Sequence, residues 1–408
     1  MKAVESGVIG AKMETMDQIE ELLTRGVEKI YPSKGELEKV LRSGKKLRLY
    51  QGFDPSMPSL HLGNFVGLMK LRQWQKLGHE VIFLVGDFTG RIGDPTDKLA
   101  TRKQLTAQET RKNSDTWQQQ AARVLDFAGS NPVKIRYNSE WSDKMTFKDV
   151  IEISANLTVQ QMLERDMFQE RLKEGKPIHL HEFLYPVAQG YDSVAMDVDL
   201  EVGGNDQTFN MLAGRTLMKA LKNKEKYVMT TKLLVDKEGK KVGKTTGNAL
   251  FLDSTPGNFF GGIMSFPDEV ILLAFELLTE VPLEGLAAKI SQNPMAQKKQ
   301  LAFEIVKLLW GQQSATQAQT DFENTFQNRE IPENIPTYTT SLNSLPTISL
   351  LVDSNLAGTR SEAKRLIEQG AVEINNVKVG DVNSSTNTQN NPIIKVGKKR
   401  FVKIIKSS

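Results

Sequence analysis

The chain has 408 residues, 39% hydrophobic and 25% charged, which is ordinary globular composition, too long for one core and sized for two or three domains. The absence of cysteine excludes disulfides, thiolate zinc and thiol catalysis; the four histidines (His61, His79, His179, His181) are too scattered for a zinc site, and no metal site is expected. Lys and Arg outnumber Asp and Glu only 53 to 49, yet residues 347–408 hold 10 basic and 5 acidic side chains, as expected of an appended module facing a polyanion.

No stretch is apolar enough to cross a bilayer, and residues 1–22 lack the apolar core of a signal peptide. A cytoplasmic protein is therefore expected, with an organelle equally suited. Residues 17–43 read as helices interrupted near Pro32 and Ser33. Residues 47–51 form a short strand that breaks into the turn Gly52-Phe53-Asp54-Pro55. From Leu62 to Lys76, Phe65, Leu68, Met69, Leu71 and Trp74 recur at helical spacing, and Gly78 is placed to cap the helix. A buried strand over 81–85 completes a βαβ unit, which predicts an α/β fold with a parallel sheet covered on both faces.

Further along, a long polar helix is expected over 104–127, strands over 133–137 and 198–202, helices over 146–195 and 206–221, and a strand over 232–235. A glycine-punctuated loop follows at 236–248 and helices fill 267–312. Residues 313–346, polar and carrying Pro332, Pro336 and Pro346, have linker composition, and 347–408 reads as a small α/β module. The expected organisation is thus an N-terminal helical segment (1–45), a nucleotide-binding α/β domain (46–260), a helical domain (261–312), a linker and the tail module.

The first chemical motif is His61-Leu62-Gly63-Asn64, at a helix start directly after a strand. First-turn N–H groups are unpaired there and the helix dipole favours anions. Gly63 lets a nucleotide ring approach the backbone, His61 can donate to a phosphate oxygen, and Asn64 to a phosphate or ribose. Alone, His61 reads equally as a helix cap. In context the stretch resembles the His-Ile-Gly-His signature of class I aminoacyl-tRNA synthetases, with Asn64 in place of the second histidine, and Gly52-Phe53-Asp54-Pro55 resembles the tyrosine enzymes of that class. The resemblance implies ATP contacts at Gly52, Asp54, Ser56, His61, Gly63 and Asn64.

Lys241-Val242-Gly243-Lys244-Thr245 resembles the second class I signature, Lys-Met-Ser-Lys-Ser. Lys244, with Lys241 and Thr245 beside it, would meet the charge growing on leaving pyrophosphate, and Gly239, Gly243 and Gly247 would let the loop close as a lid. A P-loop is the rival reading, but position 238 is Glu where that motif needs Gly, and residues 246–253 look extended rather than helical.

Tyr185, Gln189 and Asp192 share one face of a helix whose first turn is expected to hold Pro186. By themselves they would pass for a polar helix face. They resemble the family's helix in which Tyr and Gln hold the substrate amino group and Asp meets the phenol, with Tyr50 as second phenol partner. Asp94 resembles the family's carboxylate for the substrate ammonium, and Lys98 and Arg102 its basic pair for pyrophosphate and tRNA. In Gly203-Gly204-Asn205-Asp206-Gln207 the resemblance assigns Gly204 and Asp206 to the ribose and Gln207 to the reacting carboxylate.

In the tail, Thr359 and Glu362 form a capping box, Gly370 stops the helix, and a hairpin turns at Asn375 and Asn376. This resembles an S4-type RNA-binding module, with Arg360, Lys364 and Arg365 facing phosphates. Together the resemblances imply a Rossmann-like catalytic domain with an inserted helical dimerisation region, a homodimer, ATP with Mg²⁺ as substrate, and L-tyrosine and tRNA(Tyr) as partners. The tryptophan enzymes share the fold, but Tyr50, Asp192 and the tail favour tyrosine. A non-catalytic RNA-binding paralogue would be expected to have lost Lys241 and Lys244, and both are present.

Overall fold

The computed structural model describes residues 18–95, 104–243, 250–326, 335–375, 377–397 and 400–407. They fall into two compact units, one ending at Ala318 and the other beginning at Gln319.

The first unit is built on a six-stranded sheet: β1 (Val27–Tyr31), β2 (Arg48–Phe53), β3 (Glu80–Val85), β4 (Lys134–Tyr137), β5 (Leu200–Gly204) and β6 (Tyr227–Thr231). Their order is β1-β6-β5-β2-β3-β4, parallel throughout except for β1, which runs antiparallel to β6. From β2 the chain winds outward to β3 and β4, then crosses back to β5 and β6. The crevice at the carboxyl ends of β2 and β5 is thus the topological switch point, where open α/β sheets bind ligands. Pairing of β2 with β5 covers only Leu49 with Leu200 and Tyr50 with Glu201.

The helices of this unit include α1 (Lys34–Arg42), α2 (Leu62–Lys76), α3 (Leu180–Met196) and α4 (Thr208–Lys222), of which α2, α3 and α4 line this crevice. α2 spans the expected residues. It buries Phe65, Leu68, Leu71 and Trp74, each contributing about 1.5–3 kcal/mol, and ends with Gly78 at φ +76°, a conformation that favours glycine. α3 and α4 cross closely at Gly190 and Gly214, where a Cβ on Gly190 would stand 3.2 Å from the Gly214 Cα. That contact seats the polar face of α3 over the sheet.

Several elements differ from the sequence reading. Residues 27–31, expected in a helical stretch, form β1; exposed Glu28 and Lys29 hide a strand that exists by pairing with β6. The strand expected at 232–235 lies earlier, at β6, because Lys226 at its start is a buried lysine that reads as surface. The polar helix of 104–127 is two helices, Ala107–Ser114 and Trp117–Ala121, and the Ser114 hydroxyl at the break donates back to the Arg111 carbonyl. Pro186 sits inside α3, beyond its first turn, and takes the Glu182 carbonyl out of the helical ladder. A helix, Gln312–Phe326, occupies the start of the segment read as linker.

The second unit pairs β7 (Thr337–Thr340), β9 (Val372–Ile374), β10 (Val377–Lys378), β12 (Ile393–Val396) and β13 (Arg400–Lys406) in the order β10-β9-β12-β13-β7, with β8 (Ser344–Pro346) and β11 (Ser385–Asn387) as a separate ribbon. Helices α5 (Thr347–Asp353) and α6 (Arg360–Glu368) supply Leu350, Leu351, Ala363 and Ile367 to its core. Thr359 caps α6 by accepting from the Glu362 N–H at 3.1 Å, but the Glu362 carboxylate takes the Gly358 N–H, so the expected reciprocal box is only half formed.

Candidate active site

A cavity of about 630 Å³ opens at the switch point. Fifteen of the expected site residues line it: Tyr50, Gly52, Asp54, Ser56, His61, Gly63, Asn64, Asp94, Tyr185, Gln189, Asp192, Gly204, Asp206, Gln207 and Lys241. Lys98, Arg102, Lys244 and Thr245 lie outside the described residues. Arg360, Lys364 and Arg365 are exposed on α6 of the second unit, and the first two border a groove with Pro346, Ile348 and Asn383.

At one end of the cavity, the cap and site readings of His61 coincide. His61 Nδ1 accepts from the Asn64 N–H at 3.2 Å, and Asn64 Oδ1 accepts from the His61 N–H at 2.9 Å. With Nδ1 accepting, the neutral ring carries its proton on Nε2, the donor nitrogen; Asn64 keeps its NH₂ as donor. A Cβ on Gly63 would stand 2.9 Å from the His61 ring, so this position has room only for glycine. Across the crevice Lys241 Nζ pairs with Asp206 at 2.7 Å.

The middle of the cavity is held by carboxylates. Gln207 Nε2 donates to Asp94 at 2.6 Å, with Arg165 3.8 Å away. Asp54 accepts from the Thr89 hydroxyl at 2.6 Å and the Tyr185 hydroxyl at 2.8 Å, tying the loop after β2 to α3. Burial, reinforced by Asp54, pushes the Tyr185 hydroxyl well above its usual pKa, so it stays a donor.

At the far end Asp192, 2% exposed, accepts from the Trp141 indole at 2.9 Å and the Asn138 amide at 3.3 Å. Burial pushes its carboxyl well above the usual range, against the pull of those two donors. Tyr50, also buried, shares a 2.9 Å hydrogen bond with Ser193 and stands 3.5 Å from the Gln189 carbonyl. Gln189 Nε2 donates to Glu201 at 3.1 Å, while its buried Oε1 has no partner among the described residues. An unpaired buried acceptor on a cavity wall is suited to a ligand donor.

Sequence reasoning missed Thr89, Asn138, Trp141, Arg165, Ser193, Glu201 and Lys226. Only Glu201, a carboxylate between two apolar residues, Leu200 and Val202, of a predicted strand, carried a readable signal.

An enzyme that joins a nucleotide to a small zwitterion needs both ends of such a crevice, and class I aminoacyl-tRNA synthetases are built in this way. Residues 42–327 match the family described as tRNA synthetases class I (W and Y), and residues 327–404 match the tyrosine–tRNA ligase SYY-like C-terminal domain. The chain belongs to this class I family, among the tyrosine–tRNA ligases. It is 44% identical to the tyrosine–tRNA ligase of Carboxydothermus hydrogenoformans over 94% of this chain and 97% of the relative. It is 40% identical to that of Thermotoga maritima over 96% and 98%. The fold is shared with a C-terminally truncated mitochondrial tyrosyl-tRNA synthetase of Aspergillus nidulans, at a TM-score of 0.65 and 24% identity, covering 78% of this chain and 99% of that one.

Proposed function

We propose that this chain activates L-tyrosine with Mg²⁺–ATP and transfers the tyrosyl group to the 3′ end of tRNA(Tyr). The observation that carries the reading is Asp192, a buried carboxylate lining a cavity that also takes in the N-terminus of α2. A tyrosine lying between them meets Asp192 with its hydroxyl and Gln189 Oε1 and Asp94 with its ammonium. Its carboxylate, beside Gln207, attacks the α-phosphorus and expels pyrophosphate; the terminal adenosine of the tRNA then attacks the acyl carbon and expels AMP. His61 Nε2–H, the Asn64 amide and Lys244 stabilise the phosphate charge, while Asp206 and Gly204 receive the ribose once Lys241 has let go of Asp206. No side chain is needed as a nucleophile, so catalysis is positional and electrostatic. Pyrophosphate exchange with each of the twenty amino acids tests this: tyrosine alone should support it, and exchange with tryptophan in its place would overturn the reading.

The active form is a homodimer. Phe147, Ile151, Val159 and Leu180 are large apolar side chains exposed by 55% or more within one helical stretch of the first unit, and a second copy would cover them. Sedimentation should give twice the chain mass. Among the described residues no helix is long and apolar enough to cross a membrane, and the cytoplasm suits the reaction.

The second unit binds tRNA through the exposed Arg360, Lys364 and Arg365. Because β7 pairs with β13, a clean truncation must remove the whole module, ending the chain after Phe326. That variant should form tyrosyl-adenylate at nearly the full rate, charge tRNA poorly, and show a flatter salt dependence of tRNA binding. Normal charging would remove the module from tRNA recognition.

A further inference from the structure

Lys226 is 0% exposed, immediately before β6, and does not itself line the cavity. Its ammonium donates to Ser193 Oγ at 2.8 Å, to the Met211 carbonyl at 3.1 Å, and to the Glu201 carboxylate. All three N–H groups are used, which describes a charged lysine. A Cβ on Gly214 would lie 2.5 Å from Nζ, so α4 leaves the space that this ammonium fills. Burying an ion pair at this depth stabilises a fold no better than apolar packing would. The two groups it engages both lead to the cavity wall: Ser193 to the Tyr50 hydroxyl, and Glu201 to Gln189.

We propose that Lys226 is a positioning residue for recognition of the substrate hydroxyl: its ammonium sets the charge balance behind Asp192 and Glu201, and its bond to Ser193 orients the Tyr50 hydroxyl. Ser193 accepts from Lys226, so its own proton is left for Tyr50 or for Glu201, 3.5 Å away, and the Tyr50 hydroxyl is held between Ser193 and the Gln189 carbonyl, which fixes its orientation at the cavity wall. This rests on the reading of Asp192 as acceptor of the tyrosine hydroxyl. The charged and titratable groups around Asp192 are Tyr185 on its own helix, Tyr50 on β2, Asp54 after β2, Glu201 on β5 and Lys226 before β6. Burial drives Asp192 towards its neutral form, and Glu201 and Asp54 drive it further. Among the described residues Lys226 is a cation on that face, and its attraction to Glu201 and Asp192 opposes its own desolvation.

Sign follows directly. Without Lys226 the Asp192 pKa rises, so the acid limb of kcat/KM for tyrosine moves to higher pH. Phenylalanine, which offers Asp192 no hydroxyl, should show no such movement. In the full-length enzyme, Lys226→Met should shift the tyrosine limb alkaline by about one pH unit, a roughly tenfold fall in the tyrosine-to-phenylalanine ratio on the acid side. Adding Glu201→Gln removes the excess negative charge and should move the limb back. A Lys226→Met enzyme with an unmoved limb and equal losses for both amino acids would overturn the proposal. Should Lys226→Met not fold, Ser193→Ala decides, since it keeps the Lys226–Glu201 ion pair and removes the hydroxyl that joins Lys226 to Tyr50: a lower tyrosine-to-phenylalanine ratio supports the relay, an unchanged ratio sinks it. Asp192→Asn separates the two layers. If that variant keeps wild-type discrimination, the reading of Asp192 fails; if it loses discrimination while the Lys226 and Ser193 variants do not, Lys226 alone has been misread.

Discussion

Lys244→Ala is expected to slow tyrosyl-adenylate formation by roughly 10²–10³-fold, the usual cost of removing one donor aimed at developing charge. The Michaelis constant for tyrosine should hardly change. In the proposed reading tyrosine is held by Asp192, Gln189, Asp94 and Gln207, all of which line the cavity. Of the lysine motif, Lys241 reaches the cavity and pairs with Asp206. Charge on the leaving pyrophosphate grows only as the phosphorus–oxygen bond breaks. A cation that meets it there binds the transition state more tightly than the ground state, so kcat falls while substrate binding is preserved. Single-turnover measurement of adenylate formation separates these quantities. A rate equal to that of the parent enzyme would take Lys244 out of the activation step.

Most of the framework of this site could be read from residue order, because its parts are local. A strand, a turn and a helix with an N-cap occupy consecutive residues from Arg48 to Lys76, and their periodicities change at Gly52 and His61. Tyr185, Gln189 and Asp192 are spaced by the pitch of one helix, so their common face follows from α-helical geometry. What could not be read is what distant segments do for one another. Trp141 and Asn138 hold Asp192 across some fifty residues of sequence, and no local pattern marks either as its partner. Lys226 looks like one more surface lysine among Lys222, Lys224 and Lys226 until the fold sets it between β5 and α4. The edge strand β1 was hidden for the same reason, since its hydrogen bonds go to a strand two hundred residues away. Sequence periodicity reports which face of an element is buried, and it is silent on which polar groups the burial brings together.

Asp192→Asn should collapse discrimination between tyrosine and phenylalanine with little harm to the fold. The exchange keeps the shape of the side chain and leaves an amide oxygen able to accept from the Trp141 indole or the Asn138 amide. What it removes is the charged acceptor, and hydrogen bonds to a charged group contribute about 1.5–3 kcal/mol. An apolar pocket cannot tell the two amino acids apart, since they differ by one hydroxyl. A buried carboxylate can, because phenylalanine would leave it desolvated and short of the hydrogen bond that the tyrosine hydroxyl supplies. Tyrosine enzymes as a family reject phenylalanine by roughly 10⁵-fold without editing, a magnitude taken over from that family rather than obtained from this geometry. Asn in place of Asp192 should therefore reduce kcat/KM for tyrosine by about 10–100-fold and change that for phenylalanine little. The pH dependence gives a second reading. Burial holds the Asp192 carboxyl well above its ordinary range, so its ionised form is lost as pH falls through that raised value, and tyrosine turnover by the parent enzyme should fall with it. The Asn variant has no carboxyl to titrate, and its acid limb should flatten. Equal losses for both amino acids, with the acid limb intact, would mean that Asp192 serves only the packing of Trp141 and Asn138, and that the hydroxyl is read elsewhere on the wall, with Tyr50 the next residue to change.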